Sequence, residues 1–247
     1  MKNSLPIRLP ASVSRQGEAV GLGGPTDGVA GAKVARFVAE LAAVSLPNTF
    51  NPWRDICPLH DRVDAPAIRR RNLTSILESA LASGAHALWV GRDLGHLGGR
   101  RTGLAITDEL RLEAQAQMWG IPALTRATIG QPCGETTARE VWYWLEKFQR
   151  PTFLWNAFPL HPHRLGEPYS NRPHTTAEGE AGVHFLNYLY SEIQPRLVVA
   201  LGRDAEGVLA SLNIPHVYVR HPSMAGLNDF RHAMGNLLTR SGAFEGY

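Results

Sequence analysis

Two patterns of apolar residues alternate along the chain. Apolar positions recur at helical spacing in "AKVARFVAELAAV" (32–44) and in "AIRRRNLTSILESALA" (67–82), and each stretch predicts an amphipathic helix. Short, continuous apolar runs predict buried strands instead. Four such runs follow: "ALWVG" (87–91), "TFLWN" (152–156), "LVVAL" (197–201) and "HVYVR" (216–220).

Further helices are predicted between these strands. Thr137 precedes Glu140, and Thr175 precedes Glu178, by three residues. This is the spacing of a capping box, in which the two side chains satisfy free backbone amides at the start of a helix. We therefore predict helices that open at these two threonines, with others over 109–118, from 204 onwards and from 228 onwards.

This alternation of strands and helices indicates an α/β fold. Parallel neighbouring strands need a crossover connection, which the intervening helices provide. We expect a three-layer α/β/α sandwich around a central, mostly parallel four-stranded sheet. With 247 residues, 44% of them hydrophobic, residues 31–247 can form one domain with a sizeable core. Residues 1–30 contain no such pattern and are expected to form a flexible arm.

Composition narrows the class of protein further. No run approaches the ~18 consecutive apolar residues of a membrane span. The first residues are interrupted by Pro6, Arg8 and Pro10, so they do not form the core of a signal peptide. Two cysteines are too few for a disulfide scaffold. We therefore expect a cytoplasmic protein, without a membrane partner and monomeric.

The positive charge is almost entirely arginine. The formal net charge is +3, and the lysines are Lys2, Lys33 and Lys147. Arginine is the better residue for bidentate contacts with phosphate. A general bias of composition would give the same pattern, so charge permits a nucleic-acid partner without requiring one.

Polar side chains follow directly after three of the predicted strands. Asp93 lies in "GRDLGHLGG", Asn156 begins "NAFPLHPH", and His221 begins "HPSMAG". Ligands of such folds bind at the carboxyl ends of the strands, so these loops mark a candidate site. A carboxylate can steer water, an amide can match the edge of a nucleobase, and an imidazole can stabilise an oxyanion. Each residue alone also suits an ordinary turn or cap.

Together, the three loops resemble the uracil-DNA glycosylase superfamily. "GRDLGHLGGRRTGLAIT" (91–107) is similar to a family motif that begins Gly-Gln-Asp-Pro-Tyr-His and runs into a glycine-rich stretch. "FLWNAF" (153–158) is similar to the strand whose asparagine binds uracil, and "HPSMAG" (221–226) to the His-Pro-Ser-Pro loop. The order of the motifs is the family's, and they span residues 91–226.

The resemblance implies a role for each matching residue. Asp93 would position water and His221 would stabilise the departing base, while Asn156 would bind the base edge. The resemblance also implies contacts with the base for residues at or near the other matched positions, with Phe158 as one candidate replacement for the family's stacking aromatic. The residues at the base would be Gly95, His96, Ile106 and Phe158. Those at the flanking DNA would be Ser223, Met224, Arg100 and Arg101.

Three departures from the family pattern bear on specificity. Ile106 stands where the family has the aromatic that stacks on the base. Gly95 replaces the tyrosine that excludes the methyl group of thymine, so the predicted site lacks that steric filter. Met224 replaces the second proline of the His-Pro-Ser-Pro loop, and the residue that wedges into DNA has no clear counterpart.

The sequence therefore predicts a monofunctional DNA glycosylase without a cofactor or metal. Its substrate would be DNA that contains uracil or another deaminated or damaged base. A non-catalytic nucleic-acid or nucleotide-binding protein with the same fold is the main alternative. A zinc hydrolase using Cys57, His60, His161 and His163 is a weaker one, and the glycines lack the spacing of a dinucleotide-binding motif.

Overall fold

A computed structural model of the protein describes residues 25–243. Most of the predicted arm, residues 1–24, lies outside the described residues, and its last six residues belong to the first helix. The helices are α1 (Pro25–Ala43), α2 (Ala65–Ser83), α3 (Gly99–Thr102), α4 (Leu112–Met118), α5 (Thr136–Phe148), α6 (Thr176–Ile193), α7 (Arg203–Ser211) and α8 (Leu227–Ala243). Short 3-10 turns, Glu109–Arg111 and Met224–Gly226, precede α4 and α8.

The central sheet is parallel throughout. Its strands are β2 (Ala87–Gly91), β3 (Thr152–Asn156), β5 (Leu197–Leu201) and β6 (Val217–Val219), in the spatial order β3-β2-β5-β6. Two further strands, β1 (Thr49–Phe50) and β4 (His161–Pro162), pair antiparallel in a separate ribbon that the sequence pattern did not predict. All four predicted strands are thus present.

Helices cover both faces of this sheet. Trp155 of β3 contacts Phe37 of α1, with ring centroids 5.8 Å apart. Trp89 of β2 is in register with Leu154, whose side chain points to the face opposite Trp155. On that opposite face, Trp89 packs against Phe148 of α5, with ring centroids 5.8 Å apart. The continuous apolar runs of β2 and β3 follow from burial on both sides. The predicted three-layer α/β/α fold is confirmed.

One buried ion pair supports the glycine-rich loop after β2. Arg69 of α2 and Asp61 are both almost fully buried and form two hydrogen bonds between their side chains. Arg69 Nε also donates to the carbonyl of Arg101, at 2.8 Å. Because a charge this deeply buried needs a counter-charge, removing Asp61 would leave the Arg69 guanidinium beneath the loop with no carboxylate to balance it.

One of the two predicted capping boxes is present. Thr175 accepts from the backbone of Glu178, and the Glu178 carboxylate accepts from the backbone of Thr175 at 2.7 Å. The prediction for Thr137 and Glu140 is wrong. Helix α5 begins one residue earlier, after Glu135, and the Glu140 carboxylate instead binds Arg231 of α8.

Candidate functional site

Three strand ends converge on one cavity. Asp93 after β2, Asn156 at the end of β3 and His221 after β6 all line a space of about 430 Å³ at the carboxyl edge of the sheet. Gly91 pairs with Asn156 in the β2–β3 register. Backbone hydrogen bonds then continue past the strands, from Ala157 N to Gly91 O at 2.9 Å. The sheet itself therefore sets the relative positions of the first two loops.

The Asp93 carboxylate is fixed by two neighbours. Its side chain is only 5% exposed. One oxygen accepts from Arg92 Nε at 2.5 Å, and the other is hydrogen-bonded to His174 Nδ1. Since a carboxylate only accepts, His174 is the donor of the second bond. Arg92 also binds Asp204 at 3.1 Å, which ties the loop after β2 to α7.

Asn156 presents an unpartnered amide to the cavity. The residue is buried, and neither its Oδ1 nor its Nδ2 has a hydrogen-bond partner among the described residues. A buried amide left unpaired is costly, so such a group marks a place where a ligand supplies the partner. Gly91 makes room for it, because a Cβ added there would lie 2.6 Å from Asn156 Oδ1.

The environment of His221 favours its neutral form. Burial and, secondarily, the nearby positive charge of Arg92 lower the pKa of His221, while Asp204 opposes this shift. A neutral imidazole still carries one N–H donor. His221 packs over Gly202, whose φ of +98° suits glycine and brings the end of β5 close to the histidine.

Ile106 lines the same cavity in a rarely adopted backbone conformation. Its φ is +52°, which is unfavourable for a β-branched residue. Its carbonyl accepts from Trp142 Nε1 at 3.1 Å, and Thr102 Oγ1 donates to the carbonyl of the adjacent Thr107 at 2.7 Å. These bonds hold the strained residue, and strain of this kind is concentrated at functional sites.

Other residues predicted at the base lie elsewhere. Gly95 lines the cavity, but His96 points into a smaller space beside Cys57 and Tyr169. Phe158 is buried behind the loop and packs against the His174 ring. The structure therefore places neither His96 nor Phe158 in the wall of the main cavity, because the chain turns their side chains away from it.

The two arginines predicted to hold phosphates are buried. Arg100 packs over the Phe50 ring at 3.7 Å and contacts His161 Nδ1 at 3.1 Å. Arg101 Nε donates to Glu109 at 2.9 Å. Their short helix, α3, turns both side chains inward, and this argues against a direct role at DNA. Of the loop after β6, Ser223 lines the cavity mouth, and Met224 begins a 3-10 turn.

Several cavity residues were missed by the sequence reasoning. Arg172 comes from the loop before α6, Glu135 from the start of α5, and Arg203 from the start of α7. The loop before α6 also carries His174, which binds the Asp93 carboxylate but does not line the cavity. These residues lie in polar segments without a motif, so neither periodicity nor spacing indicated them. The Arg203 side chain is 84% exposed, so it can reach a phosphate, the role that the sequence assigned to Arg100 and Arg101.

The residues proposed for a zinc site have other partners. Cys57 Sγ contacts Tyr169 Oη at 3.4 Å, and His161 lies between Arg100 and Asn171. Burial and the charge of Arg100 lower the pKa of His161 to about 3. Within residues 25–243 no three side chains of the metal-binding types are grouped as a metal site requires.

Comparison with known proteins supports the fold alone. SMUG2 from Pedobacter heparinus has a similar structure, with a TM-score of 0.54 over 85% of this chain and 99% of that one, at 14% sequence identity. No family description matches the sequence, and no curated protein matches it. None of the described helices has the length and apolar character needed to cross a membrane.

Proposed function

We propose that the protein is a DNA glycosylase that hydrolyses the N-glycosidic bond of uracil or another deaminated or damaged base. The observation that carries the proposal is the cavity in which Asp93, the unpartnered Asn156 amide and His221 meet. The similarity of the fold to that of SMUG2, a member of the uracil-DNA glycosylase superfamily, also supports this proposal.

The first step would be recognition of a base outside the helix. A base inside a duplex is out of reach, so it must be flipped into the cavity at a cost of a few kcal/mol. Asn156 has one acceptor and two donors in a plane, which match the carbonyl and ring N–H of a deaminated base. The base would thereby supply the partners that the protein leaves missing.

The second step would be cleavage between the sugar C1′ and the base nitrogen. The bonding electrons go to the base and leave positive charge on the sugar, which the Asp93 carboxylate stabilises. A water adds its oxygen to C1′ and passes a proton to Asp93. His221 donates a hydrogen bond to the base as it acquires negative charge, so the two residues act on opposite charges.

DNA contacts would come from the rim of the cavity. Ser223 and the exposed Arg203 lie at its mouth. Arginine and hydroxyl contacts to phosphate position a protein on DNA without reading sequence. We place this role on Arg203 rather than on the buried Arg100 and Arg101. No cofactor takes part in this scheme, and the protein acts as a monomer.

Excision by the purified full-length chain tests the proposal. Oligonucleotides that carry uracil, hypoxanthine, xanthine or a thymine mismatch, single- and double-stranded, are treated with alkali after incubation. We expect strand scission with at least one base. Asp93→Asn and His221→Ala should each reduce it strongly, whereas Asp64→Asn and His232→Ala, at exposed sites on the surface, should not.

The outcomes separate the candidate functions. Excision that survives both Asp93→Asn and His221→Ala at the wild-type rate contradicts the assigned roles. Salt-sensitive DNA binding without excision of any base supports the alternative of a non-catalytic binding protein. A protein that neither excises a base nor binds DNA would contradict both candidate functions.

A further inference from the structure

The space over Gly95 is occupied by a carboxyl group. The Glu135 side chain reaches from the start of α5 across both Gly95 and Gly98, so that a Cβ on either glycine would overlap its carboxyl oxygens. Glu135 also lines the main cavity. The loss of a bulky residue at position 95 therefore does not leave an open wall, because an acidic side chain from another element fills it.

The backbone of Glu135 is well held, but its carboxyl group is not. Its N–H donates to Asp108 Oδ2 at 2.7 Å, which anchors the residue just before α5. The carboxyl has no hydrogen-bond partner within residues 25–243 and does not cap its own helix. A polar group in this situation is available to a ligand in the cavity.

The protonation of Glu135 decides what it offers. Burial, and then the negative charge of Asp108, raise the pKa of Glu135 to about 7. Near neutral pH a large share of the group is therefore protonated. A protonated carboxyl donates a hydrogen bond, which an ionised one cannot do.

We propose that Glu135 is a specificity-determining residue whose carboxyl O–H donates to the ring nitrogen N7 of a flipped deaminated purine, with Asn156 on the six-membered ring. The inference rests on the proposed glycosylase function. Gly95 takes the place of the family residue that stands beside thymine's methyl group, which is carried by C5. A 6-oxopurine can be held by its C6 carbonyl and N1–H, just as thymine is held by its C4 carbonyl and N3–H. In that position, purine N7 lies where thymine carries its methyl group.

Chemistry at this position separates purines from pyrimidines. The N7 of hypoxanthine or xanthine has a lone pair that accepts a hydrogen bond. Uracil has only a C–H there, and thymine has a methyl group that would meet the carboxyl directly. A donor over Gly95 therefore favours the purines and disfavours thymine, which makes Glu135 a filter of a different kind from an aromatic ring.

Binding to matched oligonucleotides tests this assignment. Single strands that carry hypoxanthine, 7-deazahypoxanthine or uracil are titrated with Asp93→Asn protein, in which the base stays attached. We expect hypoxanthine to bind about five- to tenfold more tightly than its 7-deaza analogue, the effect of one hydrogen bond. With Glu135→Ala added, the two purines should bind equally well. With Glu135→Gln added, which keeps a donor, part of the preference for hypoxanthine should remain.

The controls keep this test separate from that of the general function. The ratio of the two purine affinities is compared within each protein, so a general change of affinity cancels, and melting temperatures establish that the three proteins are folded. Equal affinity for the two purines, or a ratio that Glu135→Ala leaves unchanged, overturns the inference about Glu135. The proposed function would still stand if the wild-type protein releases uracil. A wild type that releases none of the tested bases overturns the proposed function as well.

Discussion

His174 Nδ1 is hydrogen-bonded to Asp93 Oδ1, and Arg92 holds the second oxygen of the same carboxylate. The His174 ring lies over Gly179 of α6 and against Phe158, so its orientation is set by packing on two sides. Both of the aspartate's oxygens thus have fixed directions before any ligand arrives, which suits a group that must orient water.

His174→Ala is expected to slow excision without preventing DNA binding. A hydrogen bond to a charged group contributes about 1.5–3 kcal/mol, which corresponds to roughly a 10- to 150-fold loss in rate. Because His174 acts through Asp93, kcat should fall with little change in KM. Initial excision rates over a range of substrate concentrations measure both constants, with His232→Ala as the control. A changed KM at constant kcat would mean that His174 binds substrate instead.

Gly91→Ala is expected to disable base recognition. The new Cβ would lie 2.6 Å from Asn156 Oδ1, so the amide must move out of the position from which it faces the cavity. Gly207→Ala in α7 is a matched control, since nothing lies within 4 Å of its added Cβ. That change should stabilise the helix by up to about 1 kcal/mol. Wild-type excision by Gly91→Ala would contradict the role of Asn156.

The contribution of Glu135 to stability should fall as the pH rises towards neutrality. Its pKa rises from 4.5 to about 7 in the folded protein, so the folded state binds more protons between these values. Stability linked to this group is therefore lost with rising pH, by up to about 3 kcal/mol. The carboxyl faces Asp108 and shares the cavity with Asp93, Arg92 and Arg172.

Urea unfolding between pH 4.5 and 8 measures this effect. The free energy of unfolding of the wild type should fall relative to that of Glu135→Gln as the pH rises, with the change concentrated between pH 4.5 and 7. Parallel curves for the two proteins would show that folding does not raise the pKa of Glu135.

The two threonines with capping-box spacing should differ in their contributions to stability. Thr175→Ala removes a side-chain cap from α6 and should cost about 1 kcal/mol. Thr137 lies one residue inside α5 and makes no cap, so Thr137→Ala should have a much smaller effect. Thermal unfolding of the two variants compares them directly, and equal losses would contradict the observed helix start.

Arg203→Gln should weaken DNA binding mainly through electrostatics. Arg203 is largely exposed beside the cavity, so its loss removes about one phosphate contact from the salt dependence. The slope of log K against log salt should become shallower by roughly 0.7–0.9. Arg100→Gln should instead lower the melting temperature, because that guanidinium is buried against Phe50. An unchanged slope in Arg203→Gln would place the DNA elsewhere.

The parts of the fold that depend on local pattern were predictable from sequence. The four strands of the main sheet are continuous apolar runs, and the Thr175 cap follows from local spacing. Thr137 shows where this fails. The hydrogen bond from Glu135 to the distant Asp108 fixes the start of α5, and local spacing cannot anticipate a partner 27 residues away.

The candidate site was predictable only where residues follow strands. Asp93, Asn156 and His221 were found because a parallel sheet brings its carboxyl ends together. Glu135, which lines the cavity, and His174, which binds Asp93, were not, because they come from segments whose paths depend on tertiary packing. The burial of Arg100 and Arg101 was not predictable for a related reason, since a single helical turn directs them into the interior.

The strand order β3-β2-β5-β6 has a consequence for the origin of the cavity. After β2 the chain moves outward to β3, then crosses back past β2 to β5 and continues away to β6. The loops that leave β2 and β5 therefore diverge, and a crevice opens between them by connectivity alone. Replacing Asp93, Asn156 and His221 together would leave that crevice in place. The winding of the chain determines where a ligand binds, while a few replaceable side chains determine what it is.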